Sequence, residues 1–522
     1  MANRSLFQSL RGRLLPAAPA VNEAGGRAYP LTPEQALAQY AATGCLNQTY
    51  YQLADDQLQR LLELCTHVPA EFIARTAVYC RQRGFMKDMP ALLCAVLAAR
   101  DPRLLERIFD RVIDDAKMLR TFVQILRSGV AGRKSFGSLP KRLVRGWFEA
   151  RSDEALFRAD VGQAPSMGDI VKMIHPRPST PTRAALYSYL IGRSPDVSAL
   201  PRLVQSFEAW KTSPVGQPPD VPFQRLTALP LSTEQWQDIA RRAPWQMTRM
   251  NLNTFARHGV FDSPEITRLV ADRLRHPNLV RRARVFPYQL LVAYHQAAPK
   301  VPVEVKNALQ EALEIAVSNV PVVPGRVVVA PDVSGSMQSP VTGHRQGATT
   351  AVRCVDVSAL VAAAILRQNR DAEVLPFEDH VVRLTLNPHD SIMTNARRLA
   401  SVGGGGTNCS AVLADLNARR AHADLVIYVS DNQSWMDGRA GKGSRSAPTK
   451  TMAQWSVFRQ RNPRARLVCL DIQPIATTQA PDREDILNIG GFSDSVFDII
   501  AAFAQGELGA SHWTGEIKKT PV

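Results

Sequence analysis

Asp332-Val333-Ser334-Gly335-Ser336-Met337 follows the apolar run Arg326-Val327-Val328-Val329-Ala330. The run, rich in β-branched residues, predicts a buried strand. Just past its end an aspartate and two hydroxyls alternate. Alternation puts all three side chains on one side of an extended turn. Open α/β sheets gather their ligands at the carboxyl ends of their strands. Hard oxygen donors at such a place suit a hard cation such as Mg²⁺.

Outward from this stretch the chain alternates strand and helix. Strands are expected at 326–331, 372–376, 381–386, 424–430 and 465–471, and helices at 354–369, 391–400, 410–420, 449–461 and 493–505. That rhythm predicts an α/β, Rossmann-like domain with a mostly parallel sheet and helices on both faces. Two further oxygen sites fit beside the first. Gly403-Gly404-Gly405-Gly406-Thr407-Asn408 opens a helix and offers the Thr407 hydroxyl, and Asp431 follows the strand Leu425–Ser430. Taken singly, each has a plainer reading. A DxSxS is commonly a turn, a glycine run can cradle phosphate, and an aspartate can cap a helix. No Lys-Ser/Thr follows the glycines, which argues against a phosphate loop.

The N-terminal part reads differently. Residues 1–30 look like an arm, with Asn22-Glu23-Ala24-Gly25-Gly26 flexible and prolines at 16, 19 and 30. Thr32-Pro33-Glu34 starts a helix. Apolar residues then recur at helical spacing, as in Leu58, Leu61, Leu62 and Cys65, or Leu104, Leu105, Ile108 and Val112. Short helices with almost no strand signal predict an antiparallel α-solenoid with degenerate repeats. Pro321 and Pro324 punctuate a linker over 319–325, where the domain boundary is placed.

The chain has 522 residues and a net charge of +16, placed unevenly. Residues 321–522 carry 21 Lys+Arg and 19 Asp+Glu, which leaves 42 and 28 for residues 1–320, a net of +14. A basic excess in one part points to a polyanionic partner or to a solvated surface with none. The segment 127–183 concentrates cations, with glycines and aromatics between them. That mixture suits an irregular polyanion with some unpaired bases, or else a polar loop between helices. Seven scattered cysteines without CxxC spacing argue for a reducing compartment and against a zinc site. No signal peptide and no membrane span is expected, so a cytoplasmic protein is.

The order DxSxS, then Thr, then Asp resembles the metal-ion-dependent adhesion site of von Willebrand factor A (vWA) domains. The resemblance implies that Asp332, Ser334, Ser336, Thr407 and Asp431 hold Mg²⁺ or Mn²⁺ directly or through water, with a partner's carboxylate able to complete the shell. A helical domain followed by a vWA domain resembles the Ro60 family in its bacterial, Rsr-like branch. The carriers are Val21-Asn22-Glu23-Ala24-Gly25-Gly26, Gly132-Arg133-Lys134-Ser135-Phe136-Gly137 and Ile170-Val171-Lys172-Met173-Ile174-His175-Pro176. The resemblance implies an arm over 1–30, a TROVE domain of HEAT-like helical repeats closing into a ring over 31–320, and a vWA domain over 326–510.

It further implies an RNA-binding scaffold. Small non-coding Y RNAs would bind the outer face of the ring, and single-stranded ends of misfolded RNA would enter it. An exoribonuclease tethered through RNA would be a partner in RNA quality control, and the chain would be a monomer. Arg133, Lys134, Lys141, Arg142, Lys172, His175 and Arg177 are the expected RNA contacts. On the residues alone, a histidine before proline reads first as a helix C-cap. No catalytic constellation is visible: there is no serine nucleophile elbow and no HExxH. Two other readings remain. One is a metal-dependent protein–protein adaptor acting through the vWA domain without specific RNA binding. The other is a metal-dependent hydrolase acting on phosphates.

Overall fold

The structure is a computed structural model that describes all residues except 1–14, 45, 133, 163, 228, 284, 286, 318, 319, 321, 345–351, 436–446, 509 and 510. The chain forms two compact units. One combines residues up to Phe72 with 316–521 and a short piece near 286–292, and the other holds Ile73–Val285 with Ala293–Ile315.

In the first unit the chain opens with β1 (Ala20–Val21) and β2 (Arg27–Pro30), an antiparallel pair. Then come β3 (Val327–Pro331), β4 (Glu373–Val374), β5 (Leu425–Ser430), β6 (Arg466–Asp471), β7 (Thr477–Thr478) and β8 (Ile486–Gly490). Five of them make a sheet in the order β4-β3-β5-β6-β8, parallel at every pairing. β3 and β5 are buried along their whole length, as near-continuous Val/Ile runs in parallel sheets should be. Alternate residues Val328, Ala330, Val426 and Tyr428 join a core with Val412, Leu413, Leu416, Met452, Trp455 and Phe458. Those six lie on the helices Ala411–Ala418 and Lys450–Arg461. The apolar helix Cys354–Gln368 touches β3 and β5 as well, and its Ser358 hydroxyl donates to the Val429 carbonyl at 3.0 Å.

Three sequence expectations change here. Residues 381–386 are not a strand: Val381 makes a lone bridge to Phe377, and the rest is irregular. The fifth strand is β8 instead. Residues 31–72, expected within the helical domain over 31–320, cluster instead with the parallel-sheet unit, as do residues 15–30 of the expected arm. β2 pairs with β7, Ala18 and Tyr29 enter the sheet's core, and the helix Pro33–Thr43 packs beside β8. The stretch Asn22–Gly26, expected to be flexible, is a tight docked turn. The Asn22 side chain accepts from the Gly26 and Ala24 amides at 2.7 and 3.1 Å and donates to the Ser434 carbonyl at 2.9 Å.

The second unit is built of helices, and no strand occurs in it among the described residues. The helices are capped as their sequences dictate. Asp101 accepts from the Arg103 and Leu104 amides, Ser166 and Asp169 form a capping box, and Gly129 ends Ala116–Ser128 at φ 83°. Neighbours pair in succession, Asp88–Arg100 with both Pro102–Val112 and Ala116–Ser128, and Met167–Ile174 with Ser138–Glu149. Among the described residues no helix is long and apolar enough to cross a membrane.

Candidate metal centre and nucleic-acid interface

The five oxygen donors come from three loops at the carboxyl end of the parallel sheet. Asp332 follows β3, Asp431 follows β5, and Thr407 ends the glycine loop. Backbone bonds lace the loops together. The Asp332 amide donates to the Val429 carbonyl at 2.9 Å, Gly335 to Gly405 at 2.8 Å, and Gly404 to Val333 at 2.9 Å. Gly403 has φ +88°, and a Cβ there would lie 2.3 Å from the Val333 carbonyl oxygen. Only glycine suits that approach.

The side chains converge. Thr407 Oγ1 donates to Ser334 Oγ at 2.8 Å, and Ser334 Oγ lies 3.3 Å from Ser336 Oγ. Asp332 accepts from the Ser334 amide at 2.9 Å and from Ser430 Oγ at 2.6 Å. Asp431 accepts from the Ser336 side chain and from the Gln433 amide. All five donors are buried. Burial raises the Asp332 carboxyl to about 7, and the charge of Asp431 adds to the rise. Burial raises Asp431 also. No Lys, Arg or His among the described residues forms an ion pair with either. Two buried carboxylates and three hydroxyls with no cationic partner form a donor set that fits a hard divalent cation and would relieve the repulsion.

Several residues at this site escaped the sequence reading. Ser430 fixes Asp332, and Glu378 accepts from the Gly405 amide at 2.7 Å. Trp435 lies against Gly406, where a Cβ would meet the indole nitrogen at 2.2 Å. Tyr51 comes from the N-terminal segment, where burial and the nearby charge of Asp431 raise its hydroxyl. Ser430, at the end of an apolar strand, was the one with a local signal.

The expected RNA contacts lie in the other unit. Arg133 lies outside the described residues. Lys134 is exposed, its stem packed over Gly129. Lys141 is half-buried, and Arg142 is exposed but paired with Glu106 at 2.5 Å. Lys172, His175 and Arg177 are exposed. His175 caps Met167–Ile174 in the left-handed conformation, φ 48° and ψ 64°, and its amide donates to Val171. The capping role is therefore present, and it leaves the ring facing solvent. The two segments that carry these residues are adjacent. Arg127 at the end of one helix lies 3.1 Å from the Met173 sulfur, and Arg145 Nε donates to the Ile174 carbonyl at 2.7 Å.

Residues 326–504 match the family model described as the Ro60 vWA domain. The chain is 24% identical over 526 residues to a Deinococcus radiodurans protein named RNA-binding protein RO60, covering 93% of this chain and 95% of that one. The crystal structure of the Deinococcus radiodurans RO (RSR) protein superposes with a TM-score of 0.60 at 20% identity, over 91% of this chain and all of the other. At that identity the superposition speaks for the fold: a helix-rich N-terminal region followed by a vWA domain. The resemblance to the Ro60 family therefore holds, with residues 326–504 forming a Ro60-type vWA domain and the chain similar to a Ro60 protein over nearly its whole length.

Proposed function

We propose that the chain is a non-catalytic RNA-binding scaffold. Its helical unit binds a small structured, Y-like RNA through Arg133, Lys134, Lys141, Arg142, Lys172, His175 and Arg177. The observation that carries this reading is the adjacency of the two segments that bear these residues, through Arg127 beside the Met173 sulfur and Arg145 bonded to the Ile174 carbonyl. Lys134, Lys141 and Arg177 have no carboxylate partner among the described residues, so their charge is available to phosphates. Cations of this kind fix register on a nucleic-acid backbone, and an exposed imidazole can stack on a base or bond a phosphate. The naming of the Deinococcus radiodurans relative as an RNA-binding protein supports the same reading.

In the fuller form of the proposal, the helical repeats form a HEAT-like ring that takes single-stranded ends of misfolded RNA. An exoribonuclease tethered through RNA then processes them, and the scaffold works as a cytoplasmic monomer. The vWA domain holds Mg²⁺ or Mn²⁺ through Asp332, Ser334, Ser336, Thr407 and Asp431. The buried acidic cluster also supports an adaptor role, in which the metal captures a carboxylate of a protein partner.

The test is to purify the protein from its own cells at low salt and sequence the RNA that comes with it. A discrete, structured small RNA is expected. Protein free of RNA that binds added RNA only weakly would overturn the scaffold reading in favour of the adaptor.

A further inference from the structure

A line of hydrogen bonds runs from the oxygen cluster across the carboxyl end of the sheet. Ser430 Oγ donates to Asp332 Oδ2 at 2.6 Å and accepts from the Asn432 amide at 2.8 Å. Asn432 Nδ2 donates to Thr478 Oγ1 at 3.1 Å, and Thr478 Oγ1 donates to Asn488 Oδ1 at 2.6 Å. Asn488 Nδ2 donates to Asp482 Oδ1 at 2.7 Å. Gln35, on the helix Pro33–Thr43, donates to the other oxygen of the same carboxylate. Ser430, Asn432, Thr478 and Asn488 are all buried. The line joins β5, β7 and β8 to the N-terminal segment. That segment also pairs with β7 directly, with Tyr29 opposite Thr478.

Each link has a direction, because a hydroxyl has a single proton to give. The Asn432 amide donates to the Ser430 oxygen, so the Ser430 proton points the other way, at Asp332. Thr478 accepts from Asn432 and gives its own proton to Asn488. Asn432 stands in the left-handed region at φ 60°, which asparagine tolerates but does not favour. Its side-chain bond to Thr478 helps to hold it there, and that backbone conformation aims its amide at Ser430. We propose that Asn432 and Thr478 are positioning residues for the metal site. They act through Ser430 and hold the Asp332 carboxylate in place as a ligand. The docking of the N-terminal segment on β7 therefore contributes to metal affinity. This rests on the metal reading of the cluster.

The test titrates Mn²⁺ into the full chain and reads the free ion by its electron paramagnetic resonance signal. Thr478→Val keeps the shape and removes the hydroxyl. Asn432→Gly suits the left-handed backbone and keeps the amide, but cuts the link to Thr478. Each should weaken Mn²⁺ binding about tenfold, the low end for residues that orient a metal ligand from outside the coordination shell. Thr478→Ser returns the hydroxyl and should restore wild-type affinity. The double variant Asn432→Gly with Thr478→Val should bind no more weakly than the weaker single variant, because both cut the same link. Urea unfolding without metal is recorded for every protein, and Asn432→Gly carries the test if Thr478→Val does not fold. Wild-type Mn²⁺ affinity in the folded single variants would overturn the positioning role and leave the metal reading standing. So would Thr478→Ser as weak as Thr478→Val, or losses that add in the double variant. Absence of Mn²⁺ binding in the wild type would overturn both.

Discussion

Removing divalent metal should make the vWA domain lose stability as the pH rises from 5 to 8. Asp332 is fully buried beside Asp431, and its carboxyl sits at about 7 rather than the ordinary 3.8. The folded protein therefore holds this proton more tightly than the unfolded chain does. Between the two values the folded state carries more protons, so stability falls with rising pH, from near 3.8 until the carboxyl is fully ionised above about 7. Each tenfold change in proton affinity is worth about 1.36 kcal/mol, so a carboxyl moved this far costs about 4 kcal/mol at pH 8. Mg²⁺ at a hundred times its dissociation constant should return about 2.7 kcal/mol. Because the chain has two compact units, a global melting curve would mix them. Urea titrations read by hydrogen-exchange mass spectrometry on peptides spanning Leu425–Ser430 report the vWA sheet alone. Asp332→Asn is the internal control: it removes the charge at similar shape and should flatten the pH dependence and the response to Mg²⁺. Stability that is level or rising from pH 5 to 8 without metal, or an Asp332→Asn slope equal to wild type, would refute the reasoning.

Three other outcomes are expected. Lys134→Ala combined with Lys172→Ala should weaken binding of small structured RNA at all sequences alike and lower the slope of log affinity against log salt by roughly 2, one phosphate contact per lysine; filter binding from about 50 to about 300 mM salt measures both. Gly403→Ala places a Cβ against the Val333 carbonyl at a left-handed φ and should cost about 1–3 kcal/mol, seen as faster exchange in the loop and weaker Mn²⁺ binding. Asn22→Ala removes three hydrogen bonds, two of them buried, and should cost about 2 kcal/mol, with Asn22→Asp losing less because it keeps both acceptor contacts; exchange at residues 16–30 and 431–435 reads the difference.

Much of the vWA domain was legible because its signals are local. The runs at β3, β5 and β6 are long and apolar, and a parallel strand buried on both faces needs no alternation to be read. The five oxygen donors were legible for a related reason: each follows a strand or opens a helix, so its place at one end of the sheet follows from topology. The errors lie where pairing overrode pattern. Val381–Leu386 has apolar residues enough for a strand, but only Val381 finds a bridge. Ile486–Gly490 is short and preceded by Asp482, Arg483, Glu484 and Asp485, and its strand character comes from β6, which it joins over five residues. For the cationic segment, composition located the cations, and resemblance selected among them. Neither could show that Arg142 is already paired with Glu106 while Lys134 stands exposed.

The largest gap concerns the N-terminal residues, and it comes from reading glycine by one rule. Asn-Glu-Ala-Gly-Gly reads as a flexible stretch because glycine frees the backbone. At Gly26 the operative property is the missing side chain: a Cβ there would stand 1.9 Å from the Ser434 carbonyl oxygen. That carbonyl also receives the Asn22 amide, and the Ser434 hydroxyl donates to the Thr407 carbonyl and accepts from the Cys409 amide. Asp431, three residues before Ser434, is thus carried on a loop clamped from one side by the N-terminal turn and from the other by the Thr407 loop. A contact between residues 22 and 434 leaves no trace in local periodicity, which is why composition alone misread it. The same clamp explains why the oxygen cluster keeps its geometry although two of its members repel each other: the loops are held by backbone and amide bonds that do not depend on the charge they carry.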